Sequence, residues 1–230
     1  MSSSSFASNE HTEEPMINNR DEIYMKDFDK AIDDWKVSKM SYDQIYQMAK
    51  WKIFGKNDYV IATEEKNIPI SNGLTTIKLL NNESIRKYAK EWNYMHIGLV
   101  QVGAKPLTRL GLDTSVLMVL RDARELEYER SIHATIETSL SNGPIQFECH
   151  PNATLGLRDK TIMNSLILQI KTHNYKMLEG ALPMAIIYRM YFKLMKTAFG
   201  SKAYKVDRKG QTLLIQTDLS KSNVSIPKMI

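Results

Sequence analysis

The sequence predicts a mainly β fold, an antiparallel sandwich or barrel preceded by helices. Three observations predict it. Short runs rich in β-branched and aromatic residues succeed one another between residues 95 and 195. Several of them alternate apolar and polar residues, the period of a strand with one face in a core. Turn formers such as Ser141-Asn142-Gly143-Pro144 stand between them. The 230 residues suit one substantial domain with extensions. An apolar fraction of 43% with 25% charged residues is ordinary for a globular chain and can supply a core.

Residues 1–20 are rich in Ser, Asn and Glu and poor in large apolar side chains. Such a segment buries too little surface to offset its ordering entropy and is expected to be a disordered acidic leader. Over residues 21–50, Tyr24, Phe28, Ile32 and Trp35 recur at helical spacing and predict an amphipathic helix. Ser41 and Gln44 have capping-box spacing and predict a new helix start, with Ile45, Met48 and Ala49 turned inward. Tyr59–Thr63 and Thr75–Leu80 read as short strands on either side of Ser71-Asn72-Gly73. Glu83–Trp92 reads as a short helix with Ile85, Tyr88, Ala89 and Trp92 inward.

Met95–Val102 is the first strand of the main run, ended by Gly103 and Pro106. Ser115–Leu120 is continuously apolar, which predicts a strand covered on both faces. In Ile132–Leu140 the residues Ile132, Ala134 and Ile136 face one way, and His133, Thr135 and Glu137 the other. Ile145, Phe147 and Cys149 share a face, as do Leu166, Leu168 and Ile170. Ala185–Met195 fits helix or strand by content. The line of Ile186, Tyr188, Met190, Phe192 and Leu194 at period two favours strand. Thr212–Thr217 reads as a last edge strand, and residues 218–230 as a flexible tail.

The net charge of +5 is unevenly spread. Residues 1–50 hold ten acidic and six basic side chains, and residues 51–230 hold 25 basic and 16 acidic, so a balance of −4 precedes one of +9. A basic body fits a polyanion such as nucleic acid or anionic lipid. The lone cysteine, Cys149, excludes a disulfide framework and suits a reducing compartment. No run of 18 apolar residues exists, and the first residues lack the basic and apolar regions of a secretory signal. A cytosolic protein that meets membranes only peripherally is expected.

No catalytic or metal constellation emerges. Cys149 and His150 are adjacent, and neighbours on a strand point to opposite faces, so they do not form a nucleophile–base pair. The five histidines are dispersed, with no HxxxH, HExxH or CxxC spacing. There is no GxSxG, no phosphate loop and no cofactor motif. A non-enzymatic protein without metal or cofactor is expected.

The basic residues remain. Lys105, Arg109, Arg121, Arg124 and Arg130 flank the Ser115–Leu120 strand. Lys193, Lys196, Lys202, Lys205, Arg208 and Lys209 cluster near the C-terminus. Together they could form a track for phosphates, with Tyr128, Tyr188, Tyr191, Phe192 and Tyr204 interleaved to stack on bases. The competing reading is a solvated basic face over ordinary core aromatics.

The stretch from His96 to Asp113 resembles the centre of the plant-virus cell-to-cell movement proteins of the 30K superfamily, most closely those of pararetroviruses, the Caulimoviridae. So do Leu120-Arg121-Asp122-Ala123-Arg124, Ser139–Pro144, Lys171–Met177 and Ile187–Lys193. Leu120 and Asp122, with Gly180 following 58 positions after the aspartate, match the superfamily's sparse signature. The joint match covers about residues 94–195.

The resemblance implies a jelly-roll core related to viral capsid proteins. It implies non-specific binding of single-stranded nucleic acid, RNA or DNA. It places the protein at plasmodesmata and cell-wall junctions with a cytoplasmic pool. Plasmodesmal host proteins, viral coat protein or virions and further copies of the chain are the implied partners, and tubules the implied assembly. Asp122 and Gly180 would then hold the fold rather than catalyse. A capsid-like jelly roll that packages nucleic acid is the alternative. The expected organisation is a leader (1–20), an N-terminal extension of helices and short strands (21–93), the sandwich core (94–217) and the tail (218–230). Residues 1–60 follow the family pattern loosely, and the C-terminal region with which tubule-forming members engage virions is short here.

Overall fold

Strands form where the period-two pattern meets a partner of matching length. The computed structural model describes residues 39–46, 59–71, 73–107, 115–141, 143–173 and 182–198, and the backbone of 212–215 and 223–225. The leader, the Tyr24–Trp35 face, Met48 and Ala49, Arg109, Gly180, and Lys202 to Lys209 lie outside the described residues. The strands are β1 (Tyr59–Ile70), β2 (Leu74–Lys78), β3 (Tyr94–Pro106), β4 (Ser115–Arg121), β5 (Ile132–Ser139) and β6 (Ile145–Cys149). They continue with β7 (Ala153–Gly156), β8 (Ile167–His173), β9 (Met184–Met195), β10 (Thr212–Ile215) and β11 (Asn223–Ser225). Short helices are α1 (Tyr42–Ile45), α2 (Asn82–Tyr88) and α3 (Tyr128–Ser131).

Two sheets result. One runs β1-β9-β3-β6-β10, with β7 paired to the start of β3; the other runs β11-β5-β4-β8-β2. Every pair is antiparallel. The pairs β1·β9, β2·β8, β3·β6 and β4·β5 nest one inside the next. That nesting, folded over into two sheets of alternating strands, is a jelly roll. The inner faces meet in one core. It takes Val100, Val102, Phe147 and Phe192 from the first sheet and Met118, Leu120, Ile136, Leu168 and Ile170 from the second. All five residues predicted for the inner face of β9 lie in it. Tyr188 joins the layers through its hydroxyl, which donates to the Leu79 carbonyl at 3.1 Å.

Several boundaries move. The sandwich begins at Tyr59, not near residue 94, because β1 and β2 each enter a sheet. β1 extends to Ile70 across Glu64, Glu65, Lys66 and Asn67, since all twelve of its residues pair with β9. Ser71–Gly73 does not close a hairpin, because β1 and β2 lie in different sheets. Gly73, just before β2, has φ +104°, a backbone conformation that glycine adopts freely. β3 passes through Gly103 to Pro106, held between β9 and β6. β4 is covered on both faces over its second half: Val116, Met118 and Leu120 are buried in the core and Val119 is buried on the outer face, where Leu117 is half-buried. In β5 a register shift sets Arg121 opposite Ile132 and Leu120 opposite Ala134. His133 is therefore an extra residue, and it is buried rather than outward. The expected tail contributes β11, paired to β5.

The predicted helix starts hold. The Ser41 N–H donates to Gln44 Oε1 at 3.0 Å, and Ile45 is buried. Asn81 caps α2, its Oδ1 accepting from the Glu83 and Ser84 amides. Ile85 and Trp92 are buried beneath α2, with Tyr88 and Ala89 packed against the core.

Candidate nucleic-acid interface

The loop that leaves β4 carries Arg121, Asp122 and Arg124. The apolar strand ends at Arg121, where the chain turns because the Asp122 N–H donates to the Ser131 carbonyl at 2.8 Å. The Asp122 carboxylate accepts from the Arg124 backbone amide at 3.0 Å and from Arg124 Nη2 at 2.7 Å. Arg124 Nη1 reaches across to Asp159 at 3.0 Å. One guanidinium thus ties the β4–β5 loop to the β7–β8 loop. Burial opposes ionisation of Asp122, but the hydrogen bonds and charge of Arg124 outweigh it and hold the carboxyl below its ordinary value. Arg124 is correspondingly raised, chiefly by its hydrogen bond to Asp122. Arg121 donates to Ser131 Oγ at 3.3 Å and lies 4.8 Å from the centre of the Tyr128 ring. Arg130 pairs with Glu127 at 2.8 Å, both well exposed.

The β7–β8 loop links this arginine cluster to the end of β9. Arg158, next to Asp159, donates to Asn93 Oδ1 at 2.8 Å and to the Ala89 carbonyl at 3.3 Å. Asn93 in turn donates to the Lys196 carbonyl at 2.9 Å. Lys196 is exposed, its ammonium 6.0 Å from the Trp92 ring centre. Lys193 lies 4.0 Å from the Tyr59 ring centre, and burial lowers its pKa. Five of the predicted cations, Arg121, Arg124, Arg130, Lys193 and Lys196, thus lie along one end of the sandwich. Lys105 does not join them. It pairs with Ala185, at the other end of the strands that bring Lys193 opposite His96.

Two exposed cations of this end, Arg158 and Lys160, escape a reading focused on strands. Their only signal is the charged turn Leu157-Arg158-Asp159-Lys160. Arg86, Lys87 and Lys90, all exposed, lie on α2 or just past its end, the end that Arg158 touches. Three of the aromatics read as base-stacking platforms, Tyr188, Tyr191 and Phe192, are buried core residues instead, while Tyr128 is 51% exposed. Tyr204 lies outside the described residues. No group of three or more His, Cys, Asp or Glu side chains among the described residues could hold a metal ion.

A family profile described as viral movement protein matches residues 26–209. The chain belongs to the viral movement protein family. The match starts well before residue 94, so the family pattern takes in β1, β2 and α2 as well as the centre of the sandwich. Within this family, the movement protein of Soybean chlorotic mottle virus is 32% identical over 146 residues, covering 58% of this chain and 48% of that protein. The chain therefore spans about half the length of the curated relative it matches. Among solved structures, a chain of Desmodium yellow mottle tymovirus aligns with a TM-score of 0.44 and 11% identity, over 73% of this chain and 99% of its own. One of Cocksfoot mottle virus aligns at 0.41 and 7%, over 71% and 94%. The nested strand order of this movement protein, not those likenesses, makes it a jelly roll.

Proposed function

We propose that this protein carries viral genome from cell to cell through plasmodesmata by coating single-stranded nucleic acid without sequence preference. The observation that carries the reading, beside family membership, is the set of exposed cations at one end of the sandwich: Lys196, Arg158 and Lys160, with Lys87 and Lys90 beside them. Arg121, Arg124 and Arg130 serve a different purpose, because Ser131 holds the first, Asp122 and Asp159 the second and Glu127 the third. They brace the site, and the exposed lysines and Arg158 meet phosphates. Lys202, Lys205, Arg208 and Lys209 extend the charge along the chain from Lys196.

Phosphate contact from lysines gives affinity that is indifferent to base identity and weakens as salt releases the binding advantage. No bond is made or broken. Further copies of the chain assemble on the nucleic acid or into tubules. Host proteins of the plasmodesma, and coat protein or virions, are the macromolecular partners. Contact with membrane is peripheral, and no helix among the described residues is long and apolar enough to cross one. The protein works at plasmodesmata and cell-wall junctions and has a cytoplasmic pool.

The test is fluorescence anisotropy with labelled single-stranded DNA and RNA of several sequences. Log affinity should fall linearly with log salt, by about 0.7 per phosphate contact. A triple substitution of Arg158, Lys160 and Lys196 to alanine should flatten that slope by roughly 2 and weaken all sequences alike. Salt-independent binding sinks the phosphate mechanism. In leaf epidermis, a fluorescent fusion should form paired puncta across shared walls, and a diffuse signal confined to the expressing cell sinks the transport reading.

A further inference from the structure

The β4–β5 loop ends in a feature that the clamp beneath it does not require. Leu126 at its tip is wholly exposed, at 101% of its reference area, and Tyr128 is half-exposed. Glu125, Glu127 and Glu129 surround them, all exposed, and Arg130 pairs with Glu127, so the tip is apolar with a rim that keeps a net acidic balance on a chain of net charge +5. The loop is held at both roots. Asp122 and Arg124 anchor one side to Asp159, and the Ser131 Oγ–H donates to the Tyr128 carbonyl on the other. A braced loop presents its leucine at little entropic cost on binding, which distinguishes it from a mobile tip.

A complementary surface lies elsewhere on the molecule. The outer face of the second sheet bears the row Leu74, Lys171, Leu117 and Glu137, each opposite the next on neighbouring strands. Leu74 is 70% exposed, Lys171 is exposed and Leu117 is half-buried. The next row is uncharged: Thr76, Gln169, Val119 and Thr135. Lys78, also exposed, follows on β2. Two exposed lysines against the single acid Glu137 give this apolar strip a basic balance, opposite in sign to the loop.

In one copy the two surfaces stand apart, with Leu126 101% and Leu74 70% exposed. Leu117 is four residues before Arg121 on β4, about 13 Å along the strand, and the clamp ties the loop to the β7–β8 side. We propose that the Leu126 loop of one copy docks on the Leu74–Lys171–Leu117 strip of a second copy. This deepens the self-association in the function proposed above and rests on it. Because the two patches differ, the contact is head-to-tail, and it propagates into an open chain or, where the rotation closes, a ring.

The test uses the full chain freed of nucleic acid, by sedimentation velocity over a concentration series. Leu126→Lys disables the loop and Leu74→Glu disables the strip, both at exposed positions, and melting curves verify folding. Wild type should grow in mass with concentration beyond the 26.5 kDa monomer. Each variant alone should associate at least tenfold more weakly. An equimolar mixture of the two variants should form a dimer and nothing larger, because one intact loop then meets one intact strip. A wild type that stays monomeric overturns the proposal together with the self-association reading. Variants that assemble like wild type overturn only this surface. A mixture that stays monomeric while wild type assembles overturns the head-to-tail arrangement.

Discussion

Asp122 is a carboxylate held fast by its surroundings. Three donors of Arg124 converge on its carboxylate, and the same arginine holds Asp159. Asp122→Ala should destabilise the fold by about 2–3 kcal/mol in urea titration, the worth of a charge-assisted hydrogen-bond set. Arg124→Gln should do similar damage, and the double variant should lose less than the sum. The pH dependence follows from the depressed carboxyl. Its contribution is complete above the unfolded value of about 3.9 and disappears as pH falls through the lower folded value. Arg124→Gln should therefore flatten the acid limb of the stability curve.

His96 makes an opposite kind of case, a buried base rather than an acid. Burial lowers its pKa, and Lys193 nearby lowers it further, against the hydrogen bond that His96 Nε2–H donates to Asn152 Oδ1 at 2.9 Å. As pH drops below about 6.5, the unfolded chain takes up a proton that the folded one refuses, so stability falls. An NMR titration should show the His96 ring with a midpoint below that of a free histidine, and a normal midpoint would refute the account.

Among the elements, the strap Met40–Tyr46 is held by unusually close packing. It lies on the outer face of the first sheet, where Ile45 and Tyr46 form a small second core with Leu99 and Tyr191. The Tyr46 hydroxyl donates to the His96 carbonyl at 2.8 Å, and the Met40 N–H donates to Tyr191 Oη at 2.9 Å. Beneath Tyr46 is Gly98, in a register shift of β3. A Cβ there would stand 2.5 Å from Tyr46 Oη and 2.6 Å from Cζ. Gly98→Ala should cost roughly 1–3 kcal/mol by overpacking, read as a lowered melting temperature. In a Tyr46→Ala background the same change should cost clearly less, the contact left being Ile45 Cγ2 at 3.0 Å. β9, the central long strand, should be less forgiving: Phe192→Ala should lose about 3–5 kcal/mol of stability in the same assay.

At the scale of the whole molecule, the C-terminal segment gives one strand to each sheet. β10 pairs with β6 and β11 with β5, so both sheets are extended on the same side of the sandwich. Without them, β5 and β6 would present unpaired edges, which template association between chains. A chain ending at Gly210 should scatter light on concentration and melt at a lower temperature than the full chain. A monodisperse truncated chain of unchanged stability would show that these strands do not guard the edges.

The sequence by itself determined most of the strand segments, though not β7 or β11, and the apolar face of the strongly alternating ones. Ile186 to Leu194 on β9, Ile145 to Cys149 on β6 and the α2 face are local patterns of period or cap that survive folding unchanged. It also singled out Asp122, which the fold surrounds with Arg124 donors, and it missed Arg158 and Lys160. Only the tertiary structure decided the rest. Glu64 to Asn67 look unlike a strand until β9 pairs with them. Gly103 looks like a stop until two neighbours hold it in line. Arg189 looks like one more surface cation. Folded, it is buried, donating to Glu65 at 2.8 Å and to Gln101 at 3.3 Å, while Gln101 donates to Glu148 at 2.7 Å. Lys105 parts from Lys193 for a similar reason: a strand carries charges about 3.3 Å per residue and sets its two termini at opposite ends of the sandwich. Local propensity fixes a residue's face. Which charges meet depends on strand order, and strand order is a property of pairing between segments far apart in the chain.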